Sequence, residues 1–366
     1  MRSFEQLLEE LIRFHQPVER IGLLFEDFAI EVRSNSTELL AGLAEYYRGF
    51  INTSSAKERS TNALFVLEAA EPDFGFKLRT KYPEPGKVRI KEEYVDLPGG
   101  RLVRKKLTGM QFLFNRDTGI AIGACLANRY HVVNFINSRF LQHELVQGAI
   151  LLHAAGVSRH GSGLAIAGFS GIGKSSLALH LVDRGLVFVS NDRLVVRREP
   201  GGIRMTGLPQ HPRINPGTIL RLPRLYRLIP EDERRELGKL SESELWRLER
   251  KCNVDIFEIY GQERFNLCST LCGLVLLNWR LGDTPFTVTR IDLRERRDLL
   301  SALVKEGGLF HIETPAKTTD RPPIDEYLNI LNGIPVFELN GGVDFTAAAE
   351  FCLSLMSDTD RSLSVA

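Results

Sequence analysis

The stretch GFSGIGKSS, residues 168–176, sets Gly168, Gly173, Lys174 and Ser175 in the spacing G-x-x-x-x-G-K-[ST]. Glycine at such points lets backbone N–H groups turn inward around an anion with no Cβ in the way. A helix that starts at the loop adds its own unpaired N–H groups and positive potential. Lys174 is then placed to meet the β- and γ-phosphates of a nucleotide as a point charge, and the Ser175 hydroxyl to face Mg²⁺. Ser170, Gly171, Ile172 and Ser176 complete the expected nucleotide-binding loop.

A carboxylate follows at a telling distance. Asp192 closes the run FVSND, 18 residues after Lys174. An acid there could hold Mg²⁺ through water, or accept a proton from an attacking hydroxyl. The plainer alternative is a turn or cap residue before RLVV. His153, in LLHAAG, lies 21 residues before Lys174. Taken alone, a histidine in so apolar a run reads as a core residue.

Together these residues resemble the catalytic domain of HPr kinase/phosphorylase, a bacterial enzyme that phosphorylates a serine of a phosphocarrier protein. That family carries a histidine at the His153 spacing, the same glycine-rich loop, Arg-Gly before the next strand (Arg184-Gly185 here) and an Asp-Asp pair at its end. The close match runs from His153 to Arg198. HPRINPGT, VDIFEIYGQERF and GLVLLNWR look like the subgroup called HprK-related kinase B. The resemblance implies a phosphoenolpyruvate-carboxykinase-like α/β nucleotide fold using ATP and Mg²⁺. It also implies Asp192 as general base, His153 as its support and a protein serine as acceptor, in a ring-forming homo-oligomer.

Three departures bear on that expectation. The first acid of the pair is Asn191, which cannot share a proton. GIRMTGLP, where the family has an acidic metal ligand, holds no carboxylate, so the metal is left to Ser175, Asp192 and water, or to a distant acid such as Asp255 or Glu258. The family's basic dephosphorylation motif is not visible, so phosphorylase activity is not expected. A small-molecule kinase and a non-catalytic ATP sensor stay open beside the protein kinase.

The elements that must position these residues follow from pattern. Residues 164–167 read as a buried strand, 174–184 as a helix with Gly185 just past its end, and 186–189 as the next strand. A hairpin is expected around Pro200-Gly201-Gly202, then a proline-rich loop whose Arg213 could clamp a phosphate, then a charged helix from Asp232 to about Lys251. Strands at GLVLLNWR and FTVTRI and helices near 294–305, 324 and 345 complete a catalytic domain placed at 141–356, with a frayed tail at 357–366. YGQERF imitates a GTPase switch but lacks a partner guanine motif; Gln262 and Arg264 could still line the nucleotide site.

Residues 1–140 read as a smaller mixed α/β domain. Phe4, Leu7, Leu8, Leu11 and Ile12 mark an amphipathic helix, GLLFEDFAIEVRS a hairpin, and Asn35 with Glu38 the start of a second helix. ALFVLEA, FGFKLRT, KVRIKEEYVDL and RLVRKKLTGMQFLF read as strands of an antiparallel sheet, with RLVRKK as a solvated edge. The chain has 366 residues, 47 basic against 46 acidic, and 43% hydrophobic, so nothing global points to nucleic acid or a membrane surface. Five scattered cysteines without a CxxC argue against disulfides or zinc, with Cys268 and Cys272 read as packed thiols; the expected compartment is the cytoplasm.

Overall fold

The computed structural model describes residues 2–52, 62–83, 89–312 and 323–363, with side chains to Ser357. The chain forms two compact units, Met1–Val146 with Gly307–Asp320, and Gln147–Glu306 with Arg321–Ala366. The contiguous division expected at 140/141 has no counterpart for the return of 307–312 to the first unit.

In the first unit, α1 (Phe4–His15) is held by a Ser3–Gln6 capping box and buries Phe4, Leu7 and Leu11. β1 (Glu19–Phe25) and β2 (Phe28–Ser34) form the expected hairpin. α2 (Thr37–Tyr46) is capped by Ser36, whose hydroxyl accepts from the Leu39 N–H. Asn35 is therefore not the cap: its amide is taken up on both sides by the Glu68 backbone, at 3.0 and 2.9 Å. β3 (Asn62–Glu68), β4 (Arg79–Lys81), β5 (Glu92–Leu97), β6 (Gly100–Lys105), β7 (Gln111–Phe114) and β8 (Thr118–Gly123) complete an eight-stranded sheet ordered β1-β2-β3-β8-β7-β6-β5-β4. It is mixed rather than antiparallel, because β3 runs parallel to both β2 and β8. Of FGFKLRT, only Arg79 and Thr80 enter a strand. The turn expected around Pro83–Gly86 lies outside the described residues beyond Pro83.

RLVRKK is not an edge. β6 lies between β5 and β7, with Leu102 and Val103 buried. Its charges meet acids on and beside β5: Arg101–Asp96 at 2.6 Å, Lys106–Glu93 at 2.7 Å, and Lys105 on Glu92. The last helix of the unit, α3 (Arg129–Val146), buries Arg139, whose guanidinium donates to the carbonyls of Asn115 (2.8 Å) and Phe310.

The second unit is built on a sheet of nine strands. β9 (Ile150–Leu152), β10 (Ala154–Arg159), β11 (Ser162–Gly168), β12 (Val187–Ser190), β13 (Leu194–Glu199) and β14 (Gly202–Gly207) come before and after α4 (Lys174–Asp183). Then follow β15 (Arg213–Ile214), α5 (Pro216–Arg221), α6 (Glu231–Leu237), α7 (Glu242–Arg247), β16 (Cys252–Asn253) and α8 (Ile256–Tyr260). β17 (Cys268–Leu277), β18 (Thr287–Ile291), α9 (Leu300–Leu303), α10 (Ile324–Ile330), β19 (Val336–Asn340) and α11 (Phe345–Leu363) end the unit. The main order is β12-β10-β11-β17-β14-β13-β9; β19 also pairs β17, and β18 pairs β19. β11 is thus central, entirely buried, antiparallel to β10 and parallel to β17.

The single charged helix expected from Asp232 is two short ones. α6 ends at Gly238, and Ser241 opens α7 with a capping box to Glu244. The helix near 294–305 is reduced to a 3₁₀ turn and α9. The tail expected to fray from 357 is helical to Leu363. None of the five cysteines is joined in a disulfide; Cys125 and Cys352 are buried, while Cys268 and Cys272 are half-exposed on β17. Among the described residues no helix is long and apolar enough to cross a membrane.

Candidate active site

The loop between β11 and α4 has the geometry that its glycines allow. Gly168, Gly171 and Gly173 all have positive φ, at 150°, 81° and 107°. At Gly171 a Cβ would point into open space, whereas at Gly173 it would lie 2.9 Å from the Phe345 ring. The loop is braced from below: the Trp279 indole N–H donates to the Ile172 carbonyl at 2.8 Å, and Trp279 packs edge-on against Phe345. Ser170 and Gly171 are exposed. Ser175 is half-buried on the first turn of α4, and Ser176 shares a 2.6 Å hydrogen bond with Thr218 of α5.

Lys174 is buried and folds back over its own loop, donating to the carbonyls of Gly168 (2.8 Å) and Phe169 (3.1 Å). Burial pulls its pKa from 10.5 down to about 8; the Asp192 charge works upward against this, and Lys305 and Lys251 add to the fall. Three lysines and one carboxylate therefore share the neighbourhood of the loop, a field suited to a polyanion.

His153 and Asp192 meet for a reason of register. β9 and β13 pair antiparallel with Leu152 opposite Leu194, so the residue after β9 and those just before β13 fall together at the end of the sheet. The His153 Nε2 lies 3.1 Å from the Asp192 Oδ1. The second carboxylate oxygen is held by the Lys305 ammonium, which also reaches the Asp192 carbonyl at 3.4 Å. Burial pushes the Asp192 pKa upward, but the His153 hydrogen bond and the Lys305 charge outweigh it and hold the carboxyl well below its usual range. Next to it, the Asn191 Oδ1 is buried without a hydrogen-bond partner.

These donors suit the groups expected there. Mg²⁺ takes oxygen ligands, and an orphaned amide oxygen, a carboxylate and a loop hydroxyl are of that kind. The open space above Gly171 and a lysine parked on loop carbonyls suit phosphate oxygens. Sequence reasoning gave no role to Lys305, Trp279 and Thr218; Thr218 and Trp279 lie in HPRINPGT and GLVLLNWR, strings with no chemistry attached. Arg213 is half-buried on β15, in the segment leading to Thr218. Asp255, Glu258 and Arg264 each have other partners. Asp255 caps α8 by accepting from the Glu258 N–H at 3.1 Å, and Glu258 is exposed beside Arg227. Arg264 donates to the Gly185 carbonyl, at the C-terminal end of α4, far from the loop at its start.

Residues 145–211 match the family model of the HPr Serine kinase C-terminal domain. The HPr kinase/phosphorylase of Caldicellulosiruptor bescii is 43% identical over 61 residues, 17% of this chain and 19% of that protein. That of Pelodictyon phaeoclathratiforme is 29% identical over 114 residues, 31% of this chain and 32% of that one. The chain thus spans about a third or less of the length of the curated relatives it matches. A solved structure, the Hpr(Ser) kinase/phosphatase from Coxiella burnetii, overlays 58% of this chain and 98% of its own at 14% identity, with a TM-score of 0.29 that supports no argument. The resemblance to the HPr kinase family read from His153 to Arg198 is shown over this stretch.

Proposed function

We propose that the second unit is an ATP-dependent kinase of the HPr kinase type, acting on a hydroxyl of a protein serine. The observation that carries this reading is the His153–Asp192 contact at the end of the sheet, beside a lysine-bearing glycine loop and inside the segment that matches the family. In this reading the loop N–H groups and the start of α4 bind the phosphates. Lys174 exchanges the Gly168 and Phe169 carbonyls for phosphate oxygens, and Ser175, Asp192 and the Asn191 amide oxygen would hold the metal. Mg²⁺, when bound, supplies positive charge to the transferring phosphoryl group.

Asp192 orients the acceptor hydroxyl and takes its proton as transfer completes. A carboxylate held this far below its usual range is a weak base. That suits a loose transition state, in which positioning and charge stabilisation do most of the work. His153 fixes one oxygen of the carboxylate and leaves its direction defined.

The test uses γ-labelled ATP, a lysate and an Asp192→Ala control. Label appearing on a protein in an Asp192-dependent way supports the reading. Label on a metabolite favours a small-molecule kinase. Nucleotide binding without transfer, unchanged by Asp192→Ala, would indicate the sensor that Asn191 also permits.

A further inference from the structure

Lys305 is 113 residues from Asp192 in sequence, and yet it is placed on it by backbone rather than by a swinging side chain alone. The His153 N–H donates to the Leu303 carbonyl at 2.7 Å, and Leu152 forms a bridge with Val304. The buried Tyr327 hydroxyl donates to the Leu151 carbonyl at 3.0 Å and reaches the Lys305 carbonyl at 3.5 Å. The segments that carry His153 and Lys305 are thereby tied to each other, and the two side chains grip opposite oxygens of one carboxylate.

We propose that Lys305 is a positioning residue of the phosphoryl-transfer site: with His153 it clamps the Asp192 carboxylate and closes it to a divalent cation until nucleotide is present. This rests on the kinase reading given above. An ammonium and a hard dication compete for the same oxygen, since each would repel the other at contact distance. The arriving nucleotide phosphates offer the ammonium a second anionic partner, close to Lys174, and so release the carboxylate. Nucleotide and metal then load together rather than metal first.

The experiment measures Mn²⁺ alone binding to the nucleotide-free full chain, by electron paramagnetic resonance, in the wild type and three variants. Lys305→Met keeps the aliphatic stem, and is expected to bind Mn²⁺ roughly tenfold or more tighter than wild type. Lys305→Arg keeps the charge and stays near wild type. Adding Asp192→Asn to Lys305→Met removes the gain. Lys251→Met, at a second lysine near Lys174 that is exposed, changes affinity by less than about threefold. Unchanged affinity in Lys305→Met overturns the clamp, as does a gain that survives Asp192→Asn or is matched by Lys251→Met. A fluorescent ATP analogue is titrated in parallel. If it fails to bind the wild type, the kinase reading falls; if it binds while the Mn²⁺ result is negative, only the clamp falls.

Discussion

At the residue scale, Asp192 and Lys174 have opposite duties and should fail differently. Asp192→Ala removes the group that orients the acceptor, so transfer should drop by roughly 10²–10⁴-fold while nucleotide affinity stays within a few-fold. Lys174 makes the opposite prediction. Its pKa of about 8 in the free site means that it meets phosphate as a cation below that value and as a neutral amine above it. A bound polyanion favours the charged form, so binding takes up a proton on the alkaline side. Affinity for a fluorescent ATP analogue should be flat at neutral pH and fall as pH rises through about 8; Lys174→Met should be weaker throughout and lose this dependence. Asp192 is ionised across the whole working range, so it adds no acid limb. The glycines and Lys174 were legible because phosphate binding demands fixed spacing along one strand-loop-helix run, whereas His153 and Asp192 were singled out through the family resemblance. Lys305 was not, because only long-range backbone ties at Leu303 and Val304 bring it there.

At the element scale, the loop depends on what lies beneath α4 and β17. Trp279→Phe deletes the donor to the Ile172 carbonyl while keeping the aromatic packing on Phe345. It should cost about 1 kcal/mol in a denaturant melt and weaken nucleotide binding more than changes at exposed positions do. His180, on α4, stacks on Phe345 with its Nε2 buried and without a partner. Burial holds its pKa near 4 against an ordinary 6.5, so the folded state keeps it neutral. The stability this protects is complete above about pH 6.5 and is lost as pH falls through about 4, up to roughly 3 kcal/mol. Melting midpoints of His180→Phe should fall less over that window than those of wild type. Strand and helix types were legible wherever period and caps agreed, as in α1, β1–β2 and β11–α4. They were misread where a local competitor won. Asn35 served β3 instead of capping α2, Gly238 split the charged helix, and β6 carried Lys105 into the middle of the sheet against Glu92.

At the scale of the whole molecule, the chain is not two consecutive segments. The 307–312 stretch belongs to the first unit, where Phe310 stacks on Phe114 and its carbonyl receives the buried Arg139. Gln142 and Ile312 exchange two hydrogen bonds of 3.0 and 2.7 Å. No periodicity announces such a return, since each contact joins residues far apart in sequence. A fragment of residues 1–146 should therefore leave Arg139 buried and short of an acceptor, and melt at lower denaturant than the same fragment supplied with a 305–314 peptide. Equal melts would remove this role for the returning stretch.

The central claim concerns transfer at Asp192, and a single-turnover experiment reaches it most directly. Wild type and Asp192→Asn are each loaded with equal amounts of γ-labelled ATP and Mg²⁺, then mixed with the lysate fraction that accepts label. The account predicts ATP bound to both proteins, transfer to protein from the wild type, and loss of that transfer in Asp192→Asn. Equal transfer rates from the two proteins would contradict it.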